Sequence, residues 1–256
     1  MSKTSSDNLN SAASLNGSVA DSSTAKAEEK NYCYKYPHPA VTTDCVVFGF
    51  DGKGLSVLLI ERGIEPYKGK WALPGGFLRM DETAEQGALR ELFEETGVRD
   101  IYIEQLQAFS TVDRDPRERV ITIAFFALIR QDEYEVIAGD DAANAKWFTL
   151  DQIPPLAFDH QSILQAAHER LKQNIHFESI GFHLLNEKFT MPQLQTIYES
   201  ILGTSFDRRN FSKKMLSMGF INRLNEKLKG GAHRSPALFS FDEEKYNEYR
   251  KNDLPF

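Results

Sequence analysis

GFLRMDETAEQGALRELFEETGV, residues Gly76 to Val98, is the stretch on which the reading of this chain turns. It follows a Gly75-Gly76 break and reads as a helix over about Ala84–Thr96. With Glu91 set to zero and about 100° per residue, Glu94 falls at about −60° and Glu95 at about +40°. Three carboxylates therefore share one face. Leu89, Leu92 and Phe93 fall opposite, where a core would lie. Ala84, Gly87 and Ala88 continue the acidic face one or two turns earlier as a bare patch with room for a phosphate. Like charges at this spacing destabilise a helix, and Gly87 costs about 1 kcal/mol relative to alanine. A hard divalent cation, Mg²⁺ or Mn²⁺, would relieve the repulsion, because both prefer carboxylate oxygen. Arg90 stands beside Glu91 and one turn from Glu94, placed to orient a carboxylate through bidentate hydrogen bonds. Taken alone, the helix is equally compatible with a solvated acidic face.

The flanking sequence supplies the rest of an α/β domain. Thr43–Phe50 and Leu55–Arg62 are apolar runs joined by Asp51-Gly52-Lys53-Gly54, which predicts a β-hairpin. Ile101–Ser110 and Val120–Ile129 read as buried strands, and Ala145–Leu150 as a short one. Mixed strands around a helix suggest a sandwich of about 120 residues. Pro154-Pro155 ends it, and a helix over about Gln161–Asn174 follows, with Ile163, Leu164, Ala167 and Leu171 on one stripe. Trp147 and Phe148 read as a buried strand pair rather than a base-stacking platform. The segment Asp113–Arg119 is a polar turn carrying Arg114, Arg117 and Arg119, which could meet phosphate or ribose oxygens or form a solvated tip.

The stretch Gly76–Val98 resembles the signature of the Nudix family, G-x5-E-x7-R-E-U-x-E-E-x-G-U. Gly76, Glu82, Arg90, Glu91, Leu92, Glu94, Glu95, Gly97 and Val98 satisfy every constrained position. Trp71–Phe77 is similar to the family's lead-in. The resemblance implies a Nudix α/β/α sandwich that hydrolyses a nucleoside diphosphate linked to another moiety. Glu91, Glu94 and Glu95 would hold Mg²⁺ or Mn²⁺ with Glu82 in support, and Glu94, Glu95 and Arg90 would serve catalysis. One carboxylate, or a loop acid such as Asp140 or Asp141, would be the general base. Arg62 and Tyr67, with the 113–119 turn, resemble Nudix proteins that handle ADP-ribose. That implies substrate contacts from Arg62, Gly76, Arg114, Arg117 and Arg119.

The C-terminal part has a different texture. Thr190 and Gln193 form a capping box ahead of the stripe Leu194, Ile197, Tyr198, Ile201, and Gly203 ends that helix. Asp207 caps a second helix that runs to Gly219. On its wheel Arg209, Ser212 and Lys213 face away from Phe211, Met215 and Met218, with Arg208 and Lys214 at the flanks. Phe220–Leu228, a Gly230-Gly231 turn and Ala237–Phe241 follow. Thr204–Arg234 holds eight basic residues against Asp207 and Glu226, a surplus of six positive charges in a chain of net −7. Such asymmetry is the footprint of phosphate-backbone binding. The order helix, helix, strand, turn, strand resembles a winged helix-turn-helix domain, with Arg208, Arg209, Lys213, Lys214 and Arg234 toward double-stranded DNA. Nudix plus winged helix resembles the Nudix-related transcriptional regulators. That resemblance implies a homodimer sensing ADP-ribose or a sugar effector. Many of that group have lost parts of the signature, whereas this chain keeps all of it, which favours retained hydrolysis.

Composition bounds the alternatives. The chain has 256 residues, 41% of them hydrophobic and 26% charged, an ordinary globular balance. The longest apolar run, Val120–Ile129, is half of what a membrane-spanning helix needs. Two cysteines, Cys33 and Cys45, make no disulfide framework, which fits a reducing, cytoplasmic setting. The expected organisation is a Ser-rich disordered tail over 1–35, a Nudix domain over 36–155, a connecting helix over 156–175 and the winged-helix domain over 176–256.

Overall fold

A computed structural model describes residues 32, 34–139, 142–177, 179–227 and 236–252. The chain divides into residues 1–37 and a compact unit spanning 38–256. In the first, the rings of Tyr32 and Tyr34 stack at 6.4 Å.

The second unit opens with β1 (Ala40–Phe50) and β2 (Leu55–Arg62), followed by β3 (Trp71–Ala72) and β4 (Gly75–Phe77). Helix α1 (Ala84–Thr96) leads to β5 (Glu104–Phe109), β6 (Val120–Arg130) and β7 (Ala142–Thr149). Next come α2 (His160–Phe177), α3 (Ile180–His183), α4 (Met191–Leu202), α5 (Arg208–Ser217), β8 (Ile221–Lys227), β9 (Ala237–Phe241) and α6 (Glu243–Asn252). The expected hairpin is β1–β2. In its turn the Asp51 carboxylate accepts from the Lys53 and Gly54 N–H groups at 2.8 Å each.

Seven strands form one mixed sheet in the order β3-β2-β1-β6-β5, with β4 beside β1 and β7 beside β2. β1 and β6 run parallel through eleven paired positions, from Ala40↔Val120 to Phe50↔Arg130. β1 from Cys45 to Phe50 and β6 from Ile123 to Ile129 carry no polar side chain because both sheet faces are covered there. Side chains alternate along β1. Val46, Phe48 and Phe50 enter a core with Ile163, Leu164, Ala167 and Leu171 of α2. Cys45 and Val47 enter a second core with Ala88 and Leu92 of α1. This is the expected α/β/α sandwich, and the α2 stripe read from the sequence is the one that seals it.

Two expectations fail locally. Ile101–Ser110 is not a buried strand: pairing begins at Glu104, and within β5 only Leu106 is buried. β5 is an edge strand, so the apolar residues that suggested burial are Ile101 and Ile103, which plug the α1 core from the preceding loop. Phe93, placed on the core side by the wheel, is 47% exposed. Leu92 and Ala88 fill that place with Leu89 packed partly buried beside them, because α1 lies on the sheet along a narrower stripe that leaves Phe93 out.

The C-terminal elements pack around Phe182, Phe189, Phe211, Met215, Phe220 and Phe239. The capping box is present, with the Thr190 N–H donating to Gln193 Oε1 at 2.8 Å, and Gly203 takes a left-handed C-cap at φ 65°. β8 and β9 form their own two-stranded sheet. This is the helix-turn-helix followed by strands that the sequence order predicted, with α3 and α6 added. α2 serves both halves: Leu171 and Ile175 share a core with Leu184, Ile197 and Ile201, and His168 Nε2 lies 3.0 Å from the Ile201 carbonyl. Among the described residues no helix is long and apolar enough to cross a membrane.

Candidate functional site

The acidic helix is stapled at both ends. Thr83 and Gln86 cap its start reciprocally, and Gly97 ends it in the left-handed region at φ 74°. Its carboxylates do not stand free. Arg90 donates to Glu82 twice, Nε to Oε2 at 2.9 Å and Nη2 to Oε1 at 2.6 Å. Its Nη1 donates to Glu91 Oε1 at 2.7 Å and Glu94 Oε2 at 2.9 Å. One guanidinium therefore holds three carboxylates, among them Glu91 and Glu94 of the repelling set noted in the sequence, while Glu95 is held elsewhere. The Arg90 hydrogen bonds pull the Glu82 pKa down to about 2.

Glu95 is different. It is buried, and its Oε2 accepts the Gly75 N–H at 2.9 Å. Burial pushes its pKa up to about 8, and the Glu91 and Asp44 carboxylates add to the rise. Burial likewise raises Glu91. Both groups lie against β4 because it is glycine there. A Cβ on Gly76 would stand 2.5 Å from the Glu91 carboxylate, and one on Gly75 would collide with the Thr43 carbonyl.

These residues line one side of a cavity of about 240 Å³. Its other walls come from β1 (Asp44), β2 (Arg62), the 110–119 loop (Arg114, Asp115, Arg117), the segment ahead of α2 (Phe158) and the first residue of α2 (His160). At its floor Arg114 donates to both oxygens of Asp159, at 3.0 and 2.7 Å, and to Asp44 at 3.3 Å. Burial opposes the Arg114 charge, but these carboxylates more than offset it and its pKa rises. The Leu73 N–H donates to His160 Nδ1 at 2.9 Å, so the ring proton sits on Nε2, 3.5 Å from Asp44. Burial lowers the His160 pKa and keeps the ring neutral. At the rim the Arg62 and Arg117 guanidinium groups lie 5.0 and 5.8 Å from the centre of the Phe158 ring.

The expected site residues thus separate. Arg62, Gly76, Glu91, Glu95, Arg114 and Arg117 meet around the cavity. Arg119 does not line it: its guanidinium donates to the Ser110 and Thr111 carbonyls at 2.9 and 3.0 Å and seals the end of β5. Arg114 lines the cavity with its donors already bonded to Asp44 and Asp159, so it braces loops rather than offering a free charge. Glu82, Arg90 and Glu94 sit beside the cavity, with Arg90 as a positioning residue. The bare patch at Gly87 and Ala88 is filled. Ala88 is in the core, and a Cβ on Gly87 would meet Leu78 at 2.8 Å and Glu82 at 3.1 Å. Gly87 admits the loop that carries Glu82, not a phosphate. Asp140, Asp141, Arg234 and most of the 230–236 turn lie outside the described residues. Asp44, Phe158, Asp159 and His160 were missed as site residues. Phe158, Asp159 and His160 are consecutive but stand far from Asp44 and from the glutamate helix in the sequence, and no spacing links them to either.

Among the described residues no three ligating side chains converge into a formed metal cage. The donor set still suits a divalent cation. Glu95 and Glu91 are all-oxygen donors beside the glycine cradle, their pKa values are raised by burial first and by neighbouring carboxylates second, and Arg90 already stands as a cation among Glu82, Glu91 and Glu94.

On the C-terminal half, Asp207 caps α5 by accepting the Asn210 N–H at 2.9 Å. Phe211 and Met215 are buried, while Arg208, Arg209, Lys213 and Lys214 are exposed as expected.

A Glu-bearing loop–helix–loop on a mixed sheet, with a basic helix-turn-helix behind it, defines a Nudix-type domain joined to a DNA-binding type of winged helix. The family profile for the NUDIX domain matches residues 38–167, and that for the NrtR DNA-binding winged helix domain matches residues 181–241. The chain belongs to the Nudix family and carries the NrtR-type winged helix. It is similar to the ADPR responsive transcriptional repressor NtrR of Acinetobacter baylyi, 35% identical over 216 residues that cover 83% of this chain and 86% of that one. Over 130 residues it is 43% identical to the ADP-ribose pyrophosphatase of Methanocaldococcus jannaschii, covering 51% of this chain and 73% of that one. Its structure resembles that of Shewanella oneidensis NrtR complexed with a 27mer DNA, with TM-score 0.64, 31% identity, and 81% and 95% of the two chains covered.

Proposed function

We propose that this protein is a DNA-binding regulator whose Nudix cavity takes ADP-ribose or a closely related nucleoside diphosphate, and that it retains metal-dependent hydrolysis of that ligand. The observation that carries this reading is the seating of Glu91 and Glu95 on Gly75-Gly76 at a cavity, in a chain whose α5 exposes four cations. The similarity to an ADPR-responsive repressor over most of its length supports the regulatory half. The intact glutamate set and the pyrophosphatase relative support the catalytic half.

Glu91, Glu94 and Glu95 would hold Mg²⁺ or Mn²⁺. When bound, the metal neutralises diphosphate charge and lowers the pKa of the attacking water. The chain's own residues do the rest. Arg90 holds the carboxylates in place, and the Gly75 N–H fixes the Glu95 side chain. Arg62, Arg117, Phe77 and Phe158 offer cations and ring faces to the ligand beyond the diphosphate. The cavity is smaller than the roughly 300–1,000 Å³ typical of ligand pockets, so the ligand would extend over this rim. Water oxygen bonds to one phosphorus, the bridging P–O bond breaks, and AMP and ribose 5-phosphate leave.

Product analysis with ADP-ribose and either metal tests the catalytic half. AMP and ribose 5-phosphate should appear, and Glu94→Gln or Glu95→Gln should abolish them with the fold intact. Unchanged turnover in those variants would refute the assignment. For the regulatory half, duplex retention should fall when ADP-ribose is added. Arg209→Ala with Lys213→Ala should reduce the salt slope by about two phosphate contacts.

A further inference from the structure

The face of α5 opposite its buried residues is chemically mixed. With Arg209 at zero, Leu216 lies at about −20°, Lys213 at about +40°, Ser217 at about +80° and Asn210 at about +100°. All five are exposed. Ser217 is occupied, its hydroxyl donating to the Lys214 carbonyl at 2.7 Å. Among the described residues nothing bonds the Asn210 side-chain amide, whose backbone N–H alone is used by the cap. Leu216 is 41% exposed and is the one large hydrophobic side chain exposed among the described residues after Ile137. A lone exposed leucine is ordinary on a protein surface. This one stands in register with two unpaired cations, on the outer face of the second helix of a helix-turn-helix, where base edges would be met.

The two non-ionic groups on that face match two base signatures of the major groove. A carboxamide pairs with adenine N6 and N7, and an apolar side chain packs on the thymine methyl. Leu216 has no group to bond a phosphate, and the Asn210 amide, unlike a cation, can both donate and accept, as an adenine edge requires. The cations between them serve phosphate contact. Asn210 and Leu216 are six residues apart, about 9 Å along the axis and so about two to three base-pair steps.

We propose that α5 reads sequence through Asn210 on an adenine and Leu216 on a thymine methyl two to three base pairs away, while Arg209 and Lys213 hold the backbone; this rests on the DNA-binding reading above. The test is selection of duplexes from a random-sequence library by the full-length protein and by its Asn210→Ala and Leu216→Ala variants. Both positions are exposed, and thermal unfolding checks that the variants stay folded. The wild type should enrich a consensus. Asn210→Ala should lose preference at one adenine by about five- to hundredfold, and Leu216→Ala should lose it at one thymine. Replacing that thymine with uracil in the selected duplex should weaken wild-type binding about fourfold, the value of one methyl group at about 0.8 kcal/mol, and leave Leu216→Ala unchanged. Recovery of the wild-type consensus by both variants overturns the inference while leaving DNA binding in place. Retention of no duplex by the wild type overturns the DNA-binding reading itself.

Discussion

Removing the side chain of Arg90, the one cation of helix α1, should unfold the protein more readily than removing Arg79, which reaches one of the same acids from the preceding loop. Arg90 is 15% exposed and bonds to Glu82, Glu91 and Glu94, which are 11%, 17% and 29% exposed. In Arg90→Ala these carboxylates lose their shared counter-ion in a region that water reaches only partly. Breaking one fully buried pair costs about 3–5 kcal/mol, because the remaining charge is left uncompensated. Partial access to solvent reduces this to about 2–4 kcal/mol. For a unit of this size that lowers the melting temperature by about 4–16 °C. Arg79→Ala is the internal control. It also bonds to Glu94, at 3.3 Å, but its side chain is 58% exposed, so its loss should cost under about 1 kcal/mol. Thermal and urea unfolding at pH 7 in chelator, at low ionic strength, measures both. Equal melting temperatures for wild type and Arg90→Ala would refute the argument that this guanidinium reconciles the three acids.

Other perturbations follow from the same geometry. Gly76→Ala should leave the fold in place but displace the Glu91 carboxylate, so divalent-cation binding measured by calorimetry should weaken at least tenfold; unchanged affinity would remove Glu91 from the metal site. The folded-state pKa of Glu95 lies near 8, above its unfolded value of 4.5. The unfolded chain therefore releases that proton first as pH rises. In chelator, stability should fall between about pH 4.5 and 8, and Glu95→Gln should abolish that part of the decline in pH-dependent unfolding curves. Arg114→Ala strands Asp44 and Asp159 at the cavity floor and should cost about 3–5 kcal/mol in denaturant unfolding; Asp44→Asn added to it should recover part of the loss.

Local sequence carried a large share of this molecule. The helix Ala84–Thr96, the hairpin, the capping box at Thr190 and the cap at Asp207 are each set by residues within a turn of one another. Periodicity and spacing report such interactions directly, and the three glutamates share a face because helix geometry allows nothing else. Tertiary structure decided what those residues face. Gly87 looked like an opening and is instead the seat of the Glu82 loop. Arg114 looked like a phosphate ligand and is instead bonded to Asp44 and Asp159, which lie 70 and 45 positions away in the chain. Arg119 was spent on carbonyls at the end of β5. Burial of Glu95, and with it a carboxyl poised near neutrality, exists only once β1, β4 and α1 have come together. Desolvation and long-range ion pairing are properties of the assembled neighbourhood, so no pattern along the chain announces them.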